Sequence, residues 1–146
     1  MAANVAEWSK DPSTRVGAVI VGTSREVVAI GYNGFPRGMA DCPDLYADRD
    51  FKYRHIIHAE TNACINALRQ GASTVGATIY VTHPPCVHCA GIIKQAGIVH
   101  AVFPTPPDDF IARWPMTDTV DHFARIRLKL STYENKGGKP EIVSLA

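Results

Sequence analysis

Two apolar runs set the first rhythm of the chain: "VGAVIVG" (16–22) and "EVVAIGYN" (26–33). Both are rich in β-branched residues and only "TSR" separates them, so they read as two strands of an antiparallel hairpin. Val19 and Val21 have apolar neighbours on either side, which predicts a strand buried on both faces. Ahead of them "AANVAEW" suits a short helix that stops at "KDPS", where Asp and Pro fall together. From Gly34 to Arg54 the rhythm dissolves. Pro36, Gly38, Pro43 and clustered Asp residues predict a long loop, of a length that more often carries function or an interface.

Helical spacing returns in "HAETNACINALRQG" (58–71), through Ala59, Ala63, Ile65, Ala67 and Leu68, with Gly71 closing the helix. Then come a strand, "ATIYVT" (77–82), a Pro-Pro break, a second helix in "CVHCAGIIKQAG" (86–97) and another strand, "IVHAVF" (98–103). Strand, helix and strand with short joints form a βαβ unit, which implies parallel pairing and a right-handed crossover. Beyond "PTPPDD", "TVDHFARIRLKL" (119–130) is expected to be a helix. "EIVSL" (141–145), after the turn "NKGGK", is expected to be a final strand. The expected class is α/β: a three-layer α-β-α arrangement around one mixed sheet of about five strands.

At 146 residues the chain fits one domain, 1–146, large enough for a real core. A charged fraction of 20% against 46% apolar residues is that of a folded chain rather than a disordered one. The net charge of +1 lacks the basic excess used to grip long nucleic acid, so a small-molecule ligand is favoured. No apolar run is long enough to span a membrane, and "MAANVAEWSK" lacks the pattern of a signal peptide. The expected location is the cytoplasm, where thiols stay reduced. Cys42 and Cys64 have no ligand or redox spacing and read as small apolar residues.

Two fragments remain that apolar patterning does not explain. "HAE" (58–60) and "PCVHC" (85–89) are separated by 24 residues between Glu60 and Pro85. His58 starts one expected helix, and Cys86 and Cys89 start the next. Three positions apart on a helix is about 60° of rotation, so both sulfurs can face one ion. A helix N-terminus favours thiolate, and two thiolates with one imidazole suit zinc. Three protein ligands leave a fourth position for water, as in catalytic rather than structural zinc sites. Glu60 is badly placed to share the ion but close enough to reach that water and move its protons.

"HAE…PCVHC" resembles the H-x-E…P-C-x-x-C signature of zinc-dependent nucleobase deaminases. Together with "SKDPSTRVGAVIV", "GYNGFPRG", "HAETNA" and "IIKQAGI", the chain from about Ser9 to Phe103 resembles the deoxycytidylate (dCMP) deaminase branch of the cytidine deaminase-like family. The resemblance implies a cytidine deaminase-like fold and one catalytic zinc held by His58, Cys86 and Cys89. It implies conversion of dCMP to dUMP and ammonia, with hydroxide adding at C4 while Glu60 protonates N3. The backbone of Ala59 and the carbonyls of Pro84 or Pro85 would hold the edge of the base, and Asn33 would contact the nucleoside. For the phosphate, Ser9, Lys10, Arg15 and Arg37 have the right chemistry. Family members usually carry a tyrosine after the strand ending at Phe103. Here "PTPPDDFIARW" has none, and Phe110 or Trp114 would supply the ring. The resemblance also implies a homo-oligomer, with the segment 34–54 as a contact. Some relatives bind a second zinc, or magnesium with a regulatory nucleotide, but no second ligand cluster stands out in this sequence.

Other readings share parts of the pattern. A closed structural zinc would need His83 or His88 as a fourth ligand, and a thioredoxin-like pair would not need a distant His-X-Glu. A sister deaminase acting on a nucleoside, a modified dCMP, a purine base or tRNA adenosine would keep the same zinc signature. A non-catalytic nucleotide-binding subunit would have no use for Glu60.

Overall fold

The computed structural model describes residues 1–136 and 139–144, with side chains through residue 134. In chain order the elements are α1 (Ala2–Ala6), β1 (Gly17–Val21), β2 (Val27–Tyr32), α2 (Pro43–Ala47), α3 (Arg49–His55), α4 (Ala59–Arg69), β3 (Thr78–Val81) and α5 (Val87–Gln95). They are followed by β4 (His100–Pro104), α6 (Asp108–Arg113), α7 (Thr117–Arg125), β5 (Lys129–Lys136) and β6 (Lys139–Ser144). The strands form one six-stranded sheet in the order β2-β1-β3-β4-β5-β6. β1 runs antiparallel to both β2 and β3, β3 to β5 are parallel, and β6 returns antiparallel. The sheet is therefore mixed, as expected, and β3-α5-β4 is the expected parallel unit.

The layers follow from two glycines on neighbouring strands. Gly17 pairs with Tyr32 while Ala18 pairs with Gly31, so Gly17 and Gly31 face opposite sides of the sheet. A Cβ on Gly17 would collide with the backbone of Ala2 and Ala6 in α1. A Cβ on Gly31 would collide with the backbone of Ala59 and Ala63 in α4. The two helices thus sit on opposite faces at van der Waals range, which makes the three-layer order. On the α4 face, Ile20, Ile79, Ala101, Phe103 and Leu130 form the core with Ala63 and Ala67 of α4, Ile93 of α5 and Phe123 of α7. Among the described residues no helix is long and apolar enough to cross a membrane.

Two stretches depart from the sequence reading. The expected loop at 34–54 contains two short helices, because its punctuating residues start helices instead of breaking them. Pro43 occupies the first turn of α2, where its missing N–H costs nothing. Asp48 caps α3 by accepting from the Phe51 N–H at 2.9 Å. The second departure is the expected helix 119–130, which ends at Arg125. Arg127 turns left-handed at φ 52°, its N–H bonds Ala124 O at 3.1 Å and the Leu128 N–H bonds Phe123 O at 3.1 Å. That is a Schellman closure, and the chain leaves it as β5, the strand that raises the count from about five to six. The final strand is present as β6. Gly137 and Gly138 of the expected turn, and Leu145, lie outside the described residues.

Candidate active site

Strand direction brings the two motifs together. β2 and β3 are each antiparallel to β1, so they run parallel to one another and their C-terminal ends share one edge of the sheet. α4 and α5, the long helices that follow them, begin at that edge, where sites of open α/β sheets gather. His58 is the N-cap of α4 and Cys86 the N-cap of α5. A two-residue bridge pins the approach to α4: Gly34 N–H bonds Ile57 O at 3.1 Å and Ile57 N–H bonds Gly34 O at 2.8 Å. Cys86 lies just outside its helix and not within it, and its sulfur accepts from the Cys89 N–H at 3.5 Å.

His58 Nδ1 lies 3.6 Å from Cys86 Sγ and 3.4 Å from Cys89 Sγ. All three ligand atoms fall within 4.8 Å of one another. A tetrahedral zinc with its usual bond lengths would hold nitrogen and sulfur about 3.6 Å apart. The donor set and its spacing therefore fit zinc without rearrangement. Among the described residues no fourth His, Cys, Asp or Glu joins this cluster. His83 instead faces Phe110 at 6.1 Å between ring centroids, while exposed His88 lines a separate groove between α4 and α5. The set is open on one side.

Electrostatics at these groups follows burial and mutual hydrogen bonding. Glu60, in the first turn of α4, is 3% exposed. Burial pushes its carboxyl up to about 7, against the smaller opposing pull of its own backbone N–H and of His58. A carboxyl in that range both releases and accepts a proton near neutrality, the property a proton shuttle needs. Donation from Cys89 is the main cause that brings Cys86 down to about 3, and Cys86 in turn holds Cys89 up. The hydrogen bond with Cys86 raises His58 against its burial. Burial leads the rise of the Cys64 thiol to about 11, so it stays protonated beside the site.

His58, Glu60 and Cys86 line a cleft of about 710 Å³, within the usual range for a small-molecule site. Asn33, Ala59, Pro84 and Pro85, all named from the sequence, line it too. Asn33 is only 5% exposed and its amide is fully occupied. Its Oδ1 accepts from the Val16 N–H at 2.7 Å, and its Nδ2 donates to Thr14 O at 2.9 Å and Asp11 Oδ2 at 3.3 Å. Asn33 therefore holds the 11–16 segment against the cleft wall.

The residues expected to meet a phosphate lie elsewhere. Ser9 is 3% exposed, and its hydroxyl donates to Asn33 O at 2.7 Å. Arg15 pairs with Glu7 at 3.2 Å, Lys10 with Asp41 at 3.1 Å, and Arg37 donates to Asn66 Oδ1 at 2.9 Å. None of the four lines the cleft. Among the described residues the lysine and arginine side chains that do are Arg49, Lys52 and Arg113. Lys52 is 8% exposed, and its ammonium contacts Asp11 Oδ1 at 2.8 Å, Asp11 Oδ2 at 2.7 Å and Ser13 Oγ at 2.6 Å. Burial alone would raise the Asp11 carboxyl, but bonds from Lys52, Ser13 and Thr14 outweigh it and hold the group below the ordinary range. The "DPS" of "SKDPSTR" was the one sequence trace of this pair, and it reads as turn chemistry until Lys52 is folded onto it. Phe110 and Trp114, the expected substitutes for the missing tyrosine, both line the cleft, from α6 and the residue after it.

The profile of the cytidine and deoxycytidylate deaminase zinc-binding region matches residues 1–105. The chain belongs to that family. Among family relatives, a deaminase of Aliivibrio fischeri from the luxG 3′ region is 46% identical over 114 residues, covering 78% of this chain and 74% of the relative. The deoxycytidylate deaminase of Mus musculus is 45% identical over 105 residues, and the human one 41% over the same length. The matched region spans 57% of the length of each of those two enzymes. The dCMP deaminase of cyanophage S-TIM5, crystallised with dCMP and dUMP, shares the fold with a TM-score of 0.71. That likeness covers 90% of each chain at 24% identity. The family match ends at residue 105, so α6 and α7, which close one wall of the cleft, lie beyond it.

Proposed function

We propose that this chain is a zinc-dependent hydrolase that converts dCMP and water to dUMP and ammonia. The observation that carries the reading is a buried carboxyl, Glu60, poised near neutrality beside a three-ligand set that is open toward the cleft. The names of the mouse and human relatives supply the substrate.

His58, Cys86 and Cys89 hold one zinc ion, which when bound acidifies a water to a pKa of roughly 7. The work of the chain's other groups follows from their chemistry. Glu60 takes a proton from the attacking water and places it on N3 as oxygen adds at C4, which becomes tetrahedral. Glu60 then takes the remaining proton from the oxygen added at C4 and delivers it to the amino group, the C4–N4 bond breaks as C4=O forms, and ammonia leaves with uracil formed. The base edge needs one donor and one acceptor. Ala59 begins α4, and its N–H has no partner within the helix, so it can meet the O2 carbonyl. Pro84 and Pro85 offer carbonyls and no N–H, which suits the amino group. Asn33 acts on the nucleoside by fixing the segment that faces it.

The test is ammonia release from dCMP, CMP, deoxycytidine, cytosine, guanine and adenosine by the zinc-loaded protein. dCMP is expected to give the highest kcat/KM, at least about tenfold above deoxycytidine. Equal turnover of deoxycytidine would remove the nucleotide assignment, and release from guanine or adenosine alone would remove the pyrimidine one. The same proposal places the enzyme in the cytoplasm, where its thiol ligands stay reduced, and makes it a homo-oligomer. Exposed Leu68, Val87 and Ile92 along the α4–α5 groove support assembly. A solution mass of one chain, 15.9 kDa, would refute that part.

A further inference from the structure

We infer that Arg49 of α3 and Arg113 of α6 are the groups that hold the 5′-phosphate and so set the preference for a nucleotide over a nucleoside. This rests on the substrate reading above. A phosphate needs uncommitted cationic donors, and among the described residues three lysine or arginine side chains line the cleft: Arg49, Lys52 and Arg113. Lys52 is spent. An ammonium has three protons, and those of Lys52 face the two oxygens of Asp11 and the hydroxyl of Ser13. Turning to a phosphate would leave Asp11, itself 1% exposed, as a buried unpaired charge, which costs several kcal/mol.

Arg49 and Arg113 are free of that constraint. Both are exposed, and among the described residues neither has a carboxylate partner within 4 Å. The guanidinium of Arg49 lies 5.3 Å over the ring of Tyr53. That contact orients it through cation–π attraction and leaves its N–H fork unused. Arg113 is the last residue of α6, one position before Trp114. Of the two acids among the described lining residues, Asp11 is neutralised by Lys52 and Glu60 lies two positions from His58. With Arg49 and Arg113 added, the described lining of the cleft is therefore net positive. Two guanidinium forks from separate segments suit a tetrahedral dianion, which each can bind through paired N–H donors. Because Arg113 lies past residue 105, half of this clamp comes from a segment the family profile does not cover.

The experiment compares the zinc-loaded wild type with Arg49→Ala, Arg113→Ala, the double variant and the two Arg→Lys variants. Two ratios are read: kcat/KM for dCMP over deoxycytidine, and equilibrium affinity for dUMP over deoxyuridine. Each Ala variant is expected to lower both ratios about ten- to a hundredfold, the worth of hydrogen bonds to a charged group. The double variant should bring both near one, and Lys should restore only part of the loss. A double variant that keeps the wild-type ratios overturns the inference, and so does a wild type that binds dUMP no more tightly than deoxyuridine. Should the wild type fail to deaminate dCMP yet lose its preference for dUMP with both arginines, the clamp stands and the activity reading alone fails.

Discussion

Glu60→Gln is expected to keep one zinc per chain and to lose about two to four orders of magnitude in turnover, the range of general acid–base catalysis. Gln matches Glu in shape, so the first turn of α4 and the neighbouring His58 keep their places, but an amide cannot take up and return a proton. The same side chain has a second signature in stability. Its carboxyl is raised to about 7 by burial, so the folded state binds the proton more tightly than the unfolded state does. For a group raised in this way, stability is full below the unfolded value of 4.5 and falls as pH climbs from there toward 7. Above that window the ionised carboxylate costs the zinc-free protein up to about 3 kcal/mol, at about 1.4 kcal/mol per tenfold. Gln carries no such charge. After chelation the variant should melt above wild type at pH 8, with the gap closing near pH 4.5. Near-wild-type turnover in Glu60→Gln would remove the proton shuttle from the mechanism.

Cys86→Ser is expected to abolish zinc binding while sparing the fold. Cys86 caps α5 through its sulfur, and Ser is among the best N-cap residues, so the helix start should survive. The loss falls on the metal, because a neutral hydroxyl is a far poorer zinc ligand than a thiolate. Zinc affinity should drop by more than about a hundredfold, since losing a mere supporting partner of a ligand already costs about ten- to a hundredfold. Activity should drop with it, while circular dichroism of the chelated variant matches chelated wild type. Cys89→Ser should lose the metal likewise and also disturb packing, because Cys89 is 2% exposed within α5. Stoichiometric zinc in Cys86→Ser would show that the cluster is not the ligand set.

Helix ends show how much of the fold the sequence makes legible. α4, α5 and α7 all close with a Schellman pair of hydrogen bonds, to Ala67 and Leu68, to Ile93 and Lys94, and to Phe123 and Ala124. The first two place Gly71 and Gly97 at the left-handed position, at φ 67° and 81°. Glycine adopts it without steric cost, so both stops can be read from the sequence. The third places Arg127 there. Packing of Phe123 and Leu128 into the core, 0% and 2% exposed, accompanies a backbone that Arg disfavours. Nothing local announces that stop, and the helix reading runs on to Leu130, into the start of β5. The segment 34–54 fails for a related reason: Pro and Asp are common both in loops and at helix starts, and only folding tells which.

The metal site divides in the same way. Residue types and spacing alone determined the His58, Cys86 and Cys89 cluster, its neighbour Glu60 and the helix starts that carry them, because thiolate, imidazole and carboxylate chemistry is local and the motifs keep it within a few positions. What only the tertiary structure decided is which charges face the cleft. Whether a basic side chain can hold a phosphate depends on what already neutralises it. Lys52 meets Asp11 across 41 positions of sequence, while Lys10 and Arg15 pair away from the cleft and Arg49 and Arg113 line it with no carboxylate partner among the described residues. Coulombic pairing acts through space between surfaces that exist only once the sheet is assembled, so no spacing along the chain foretells it.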